Sequence, residues 1–407
     1  MQQNELERRF PHHRLRIHLP NGDERQVGRG GPVLDWHIHR HRALRRLLNG
    51  STRRLGESYV AGDWSTAPEQ LPLLIGRLLS PRPRRVPHGW LRRLGEQLFP
   101  RPRSERILSW QDDSLQLSRH CLGEALYTHC AQFTEAGMSL EQAQRLARRQ
   151  VLEQLMLQPG QHLLVVDAGW GALPLYLARE ADVRITATCR SRAQLQHNRA
   201  AARRQGLDGR LDFRCGQPQP CLNGYDRLLL GDLRDAIGQR GFRHRLVYLS
   251  TLLRPGGLAL LTTTGIDEAF LAGNRWLRRR LHGDGHGMRL SRLAAAAESA
   301  GLTILGTRNL APHYRQSLAH WRRRLHYHRD AVIRSQGEKR VRGWEFELAS
   351  LEAALADGGM HVWEMLVANG PAVEQPPRGE PGHTATGHDP GVPSRCWAND
   401  APSIRNP

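Results

Sequence analysis

Lysine is all but missing from this chain: Lys339 stands alone among 59 basic residues, so nearly all positive charge is arginine. Acidic residues are also scarce, 39 in all, which leaves a formal net charge of +20. A GC-rich genome accounts for arginine replacing lysine but not for the excess over acid, and that excess implies attraction to a polyanion, either nucleic acid or an anionic membrane face. Long apolar runs are absent. Stretches such as Gly257–Leu261 and Leu173–Ala178 fall far short of the ~20 residues that span a bilayer. Residues 1–20 are charged and carry no apolar leader core, so a cytoplasmic protein is expected. The six cysteines (Cys121, Cys130, Cys189, Cys215, Cys221 and Cys396) include no CxxC pair, which argues against a disulfide framework or a structural zinc site. Apolar residues make up 39% and there are 40 glycines, a globular composition that excludes wholesale disorder.

At 407 residues two domains with tails are expected. Residues 1–79 read as a small α+β unit: Leu15–Leu19 alternates before the turn Pro20-Asn21-Gly22-Asp23, Val33–Ile38 is a further strand, and Arg42–Leu48 has helical spacing. Residues 80–106 form a basic linker broken by Pro81, Pro83, Pro87, Pro100 and Pro102. Between these prolines Trp90, Leu91, Leu94, Leu98 and Phe99 fit one helical face, suited either to a membrane interface or to packing on a neighbouring domain.

From residue 139 strands and helices alternate. Helices are predicted at 140–155, 173–180 and 192–204, and strands at 163–166, 183–188, 210–214, 227–230 and 258–263. Such alternation argues a parallel sheet covered on both faces. Leu302–Gly306, helical stretches over 313–333 and 339–356, and a last strand, His361–Ala368, complete a domain spanning 107–370. The tail 371–407 lacks apolar periodicity and is expected to be disordered.

The most informative local pattern is Leu163-Leu164-Val165-Val166-Asp167-Ala168-Gly169-Trp170-Gly171, an apolar strand entering a Gly-x-Gly turn before a helix. Backbone can approach a ligand closely there, and helix N-terminal N–H groups can face a carboxylate or phosphate. By itself the pattern suits nucleotide, dinucleotide and S-adenosylmethionine sites alike, or an ordinary tight turn.

The segment resembles the corresponding motif of the cyclopropane-fatty-acyl-phospholipid synthases, a branch of the class I S-adenosylmethionine-dependent methyltransferases. Further matches occur in order along the chain: Gly56-Glu57-x-Tyr59-x-x-Gly62-Asp63-Trp64 upstream, His129-Cys130-Ala131-Gln132-Phe133 followed by Ser139-Leu140-Glu141, Ser191 with Gln194, Tyr225-Asp226-Arg227-Leu228, Gly238, and His313-Tyr314 with Leu318 and Trp321. The resemblance implies a seven-stranded Rossmann-like domain behind a small lipid-associated α+β domain. It also implies S-adenosylmethionine held by Thr128, His129, Asp167, Gly169, Trp170, Gly171, Cys189, Gln194, Gly216 and Gln217, an acyl-chain substrate, an anionic phospholipid surface and a homodimer among the partners.

Departures from the family pattern bear on chemistry. The first motif glycine is Asp167 here, whose carboxylate crowds the site and would repel the cofactor's own carboxylate, or alternatively bond its ammonium. In the family a cysteine, a glutamate, a histidine, a backbone group and a tyrosine hold a bicarbonate ion beside the acyl chain. Of these, Cys130 and Tyr314 persist, the glutamate is Asp235, the histidine is Thr262, and the backbone position falls at Thr264. Asp235 is retracted by about 1.5 Å, and misplacing a catalytic group by about 1 Å can cost ~100-fold. Trp110 and Ala236 replace two further histidines. Arg275, Arg278, Arg279 and Arg280 around Trp276, and Arg322, Arg323 and Arg324 after Trp321, read as a basic interfacial surface. Three readings remain: methyl or methylene transfer to the cis double bond of a phospholipid acyl chain, a catalytically impaired lipid-binding relative, and nucleic-acid methylation. The last is motivated by charge alone and lacks a (D/N)PP(Y/F) acceptor motif.

Overall fold

The computed structural model describes residues 13–40, 52–79, 114–231, 239–266, 276 and 289–370. Arg42–Leu48, the 80–106 linker, Trp110, Asp235, Ala236, Gly238, the four arginines around Trp276 and the 371–407 tail lie outside the described residues.

The N-terminal unit is a four-stranded sheet of order β2-β1-β3-β4, built from β1 (Arg14–His18), β2 (Glu24–Val27), β3 (Val33–Ile38) and β4 (Trp64–Ser65). The predicted turn joins β1 to β2 as an antiparallel hairpin, with Gly22 at φ 89°. Helices α1 (Thr52–Val60) and α2 (Leu71–Leu79) accompany the sheet. The motif segment 56–64 is therefore the end of a helix and a turn into β4. Leu15, Ile17, Leu34, Trp36, Trp64, Leu74 and Ile75 form its buried centre.

The second unit contains α3 (Leu115–Leu122), α4 (Leu140–Leu155), β5 (His162–Val166), α5 (Ala172–Glu180), β6 (Arg184–Cys189), α6 (Arg192–Arg204), β7 (Leu211–Cys215), β8 (Tyr225–Leu230), α7 (Gln239–Leu252), β9 (Leu253–Ile266), α8 (Leu290–Ser299), β10 (Leu302–Asn309), α9 (Ala311–Tyr327), α10 (Arg329–Gln336), α11 (Glu338–Ala356) and β11 (Met360–Asn369). Its seven strands follow the order β10-β11-β9-β8-β5-β6-β7. β5 through β9 pair in parallel, and β11 runs antiparallel between β9 and β10. This is the seven-stranded, Rossmann-like sheet that the resemblance implies. Alternate strand residues feed two cores. Leu163, Val165, Leu229, Leu260 and Leu366 meet Ala147 and Val151 of α4 on one face. Leu164, Val166, Leu228, Leu230, Leu261 and Val367 meet α7 and α8 on the other.

The stretch read as one helix over 313–333 is two, interrupted at His328 (φ −95°, ψ 13°). Two basic-surface readings also need correction. Trp321 is fully buried, Arg322 is buried and donates to Glu352 at 2.9 Å and to the Pro68 carbonyl, and Arg324 donates to Glu141 at 2.6 Å. Trp276 is buried against Phe346 and the N-terminal core. These tryptophans serve packing, and Arg322 and Arg324 serve internal ion pairs. Among the described residues no helix is long and apolar enough to cross a membrane.

Candidate active site

The strand order reverses between β5 and β8, and in doubly wound sheets ligands bind at the carboxyl edge of such a switch point. Val166, Leu230, Leu261 and Met365 are in register across β5, β8, β9 and β11. One residue further, at the carboxyl edge, stand Asp167, Gly231, Thr262 and Glu364. Alternation aims them toward the face carrying α4 and α5.

The β5–β6–β7 half of this edge holds most of the expected cofactor residues, whereas His129 lies in the other half, against Gly231. Asp167 has φ 61°, a left-handed conformation that Asp tolerates better than most side chains. Its backbone N–H donates to Thr188 Oγ1 at 3.0 Å. Its carboxylate does not hang free, because Oδ2 accepts from Arg190 Nη2 (3.2 Å) and Arg245 Nη2 (3.3 Å). Gly169 (φ 55°) approaches Thr128 so closely that a Cβ would lie 3.0 Å from Thr128 Oγ1. At Gly171 (φ 82°) a Cβ would lie 2.7 Å from Asn198 Oδ1. Asn198, on α6, donates to the Gly169 carbonyl (2.9 Å) and to Cys189 Sγ (3.3 Å), tying the turn to the end of β6. Burial pushes the Cys189 thiol up to about 11. Gly216 N–H donates to the Cys189 carbonyl at 3.3 Å, and the neighbouring Gln217 is exposed. Trp170 is buried, edge-on to His197. Gln194 is also buried, and its Oε1 accepts from Arg190 N–H while Ser191 caps the helix start, so at least part of its role is to shape the β6–α6 turn. The edge suits S-adenosylmethionine: α5 starts at Gly171 with no side chain capping its first N–H groups, and nothing lies within 4 Å of a Cβ built on Gly216.

The β8–β9–β11 half is a small hollow of about 30 Å³, with room for a water or two, where the polar side chains of Tyr127, His129, Cys130, Thr262, Arg308 and Glu364 meet a largely apolar wall. Gly231 is forced here, since a Cβ would collide with the His129 ring. Cys130 is buried, and its thiol donates to the carbonyls of Ala131 (3.3 Å) and Leu310 (3.8 Å). Burial foremost, and the nearby Glu364 charge, hold that thiol far above its ordinary value, so it is a neutral donor rather than a nucleophile. Tyr314 is buried in the cluster that contains Cys130, edge-on to Trp321 at 5.9 Å. Thr262 lines the hollow where the resemblance implies a histidine, and Asp235 falls outside the described residues.

Sequence reasoning missed Glu364, Arg308, Asn198, Gly231, and the pair Arg190 and Arg245. Glu364 had a signal, being a lone carboxylate within the strand Met360–Asn369. Asn198 stands four residues after Gln194, on the same helical face.

Comparison with known proteins agrees with this geometry. The family described as mycolic acid cyclopropane synthetase matches residues 100–365. Tuberculostearic acid methyltransferase UfaA1 of Mycobacterium tuberculosis is 28% identical over 394 residues, covering 90% of this chain and 91% of that protein. Cyclopropane-fatty-acyl-phospholipid synthase of Escherichia coli is 24% identical over 340 residues, covering 80% and 86%. The solved mycolic acid cyclopropane synthase CmaA1, complexed with SAH and CTAB, superposes with a TM-score of 0.57 at 21% identity, over 63% of this chain and 94% of that one. The chain is thus a class I S-adenosylmethionine-dependent methyltransferase, and it belongs, as a divergent member, to the mycolic acid cyclopropane synthetase family.

Proposed function

We propose that this enzyme transfers a methyl or methylene group to the cis double bond of a phospholipid acyl chain at the cytoplasmic membrane face. The observation that carries the reading is the division of one sheet edge into a glycine-turn half and a polar, apolar-walled half, adjoining at Asp167 and Gly231. When bound, S-adenosylmethionine supplies an electrophilic methyl group. Thr128, His129, Asp167, Gly169, Trp170, Gly171, Cys189, Gln194, Gly216 and Gln217 would hold it, with Arg190 and Arg245 neutralising the charge of Asp167. Cys130, Asp235 and Tyr314 would hold a bicarbonate ion beside the chain, and Leu173, Val151, Leu229 and Leu260 keep water out.

A second set of arginines supports an anionic surface. Arg119, Arg148, Arg179 and Arg204 line a groove with His197, Leu126 and Leu175, and Glu124 is the acid among its lining residues. Repulsion from Arg179 and Arg145 adds to burial in lowering the Arg148 pKa. Each such charge contributes about 1 kcal/mol at an anionic membrane. Vesicles of phosphatidylglycerol should bind the protein and release it with salt, and reversing Arg119 and Arg204 to glutamate should weaken binding severalfold in co-sedimentation.

Expression in a host lacking the activity, followed by lipid mass spectrometry, tests the reaction. The expected product is a lipid heavier by one methylene, as a cyclopropane or a methylene branch, with two further hydrogens only where a reductase of the host supplies hydride and proton to the branch; its absence overturns the reading. Loss of the family histidine at Thr262 favours a second reading, a lipid-binding relative without turnover. Calorimetry separates the two, because absence of S-adenosylmethionine binding would favour the second.

A further inference from the structure

Glu364 is a carboxylate on an interior strand of the sheet, 4% exposed, and it lines the hollow together with Cys130, His129 and Thr262. It is the register partner of Thr262 on β9, so the two side chains stand on the same face. Its polar contacts fall on a single oxygen. Oε1 accepts from Arg308 Nε (2.9 Å), Arg308 Nη2 (2.6 Å) and Gln154 Nε2 (3.1 Å). Oε2 has no hydrogen-bond partner among the described residues. A carboxylate serving only as half of a buried ion pair would gain by presenting both oxygens to the guanidinium fork. This one is gripped by one oxygen from α4 and β10. Its charge reaches the hollow, because it helps to raise both the Cys130 thiol and the Tyr127 phenol.

We propose that Glu364, which stands beside Thr262 across the β9–β11 pairing, is the proton acceptor of the reaction, with Arg308 and Gln154 as its positioning residues. The role rests on the reaction proposed above. The alkene π pair forms a bond to the transferred methyl carbon as the carbon–sulfur bond breaks, its electrons remaining on sulfur. This leaves a carbocation on the acyl chain. Glu364 Oε2 then takes a proton from the new methyl group, and the released C–H pair closes the second carbon–carbon bond of the ring. An alkyl cation is so strong an acid that a carboxylate already held by arginine is basic enough to receive its proton. Thr262 cannot substitute, since a neutral hydroxyl is a poor base.

The test compares wild type, Glu364→Gln and Glu364→Asp for lipid product, for S-adenosylmethionine affinity by calorimetry, and for the alkylation rate of Cys130 without cofactor. Glu364→Gln keeps an acceptor for Arg308. It should lower product about a hundredfold, leave cofactor affinity unchanged, and speed alkylation of Cys130 by removing the neighbouring negative charge. Should that variant not fold, Glu364→Asp retains the charge for Arg308 but retracts it, so a proton acceptor predicts at least a tenfold loss and a mere ion pair predicts near-full activity. Product within about threefold of wild type, or unchanged Cys130 reactivity, overturns the role alone. No product from wild type overturns the reaction and this role together.

Discussion

Gly231 and Asp167 occupy corresponding places at the ends of β8 and β5, and each departs from an ordinary residue for a different reason. Gly231 lacks a side chain because the His129 ring fills the space. Gly231→Ala should push His129 out of the hollow, lowering stability by about 1–3 kcal/mol and activity at least tenfold, measured by urea unfolding and lipid product. Asp167 holds a left-handed backbone and two guanidiniums. Asp167→Gly relieves the left-handed conformation and removes a carboxylate that competes with the cofactor's own for the field of Arg190 and Arg245. Tighter S-adenosylmethionine binding, by about tenfold or ~1.4 kcal/mol, is expected in calorimetry; weaker binding would show that Asp167 itself holds the cofactor. The substitution of glycine by Asp167 was readable in the sequence. Its neutralisation was not, because Arg190 and Arg245 lie 23 and 78 residues away in the chain.

At the scale of elements, legibility followed local chemistry. Leu140–Leu155 was predicted to the residue, and Ser139 there forms a reciprocal cap with Gln142: each side chain accepts from the other's backbone N–H, at 3.2 and 2.9 Å. The break at His328 had no such mark, since neither proline nor glycine falls between His313 and Gln336. Nor could composition say which arginines are exposed. Trp321 and Arg322 carry interfacial chemistry in sequence, yet tertiary packing buries both. Helix α6 stabilises the cofactor turn through one side chain. Asn198→Ala should therefore loosen Gly169 from Cys189 and weaken S-adenosylmethionine about tenfold while the helix remains; unchanged affinity in calorimetry would show that the glycine turn holds its shape unaided.

Across the molecule, buried thiols set an alkaline limit. Burial lifts Cys189 to about 11 and Cys121 to about 12, above a starting value of 9.0. A pKa raised on folding means the folded state retains its proton longer, so this contribution is full below about pH 9 and is lost as pH rises toward 11–12. Urea midpoints should fall progressively above about pH 9, and alanine at Cys189 should flatten the decline.

The two units share one helix. Thirteen residues of α11 are buried, and Phe346, Ala349 and Ala353 belong to the N-terminal core. Tyr59 donates to Glu345 at 3.1 Å, while Arg342 covers the Tyr59 ring and donates to the carbonyls of Tyr59 (2.6 Å) and Trp64 (2.8 Å). The aromatic residues of the Gly56–Trp64 signature are therefore a clasp for the methyltransferase domain. A version of this enzyme cut free of its first 79 residues would present an oily helix to water and should precipitate. A stand-alone catalytic unit of this ancestry would need that helix face rewritten in polar residues before it could travel by itself.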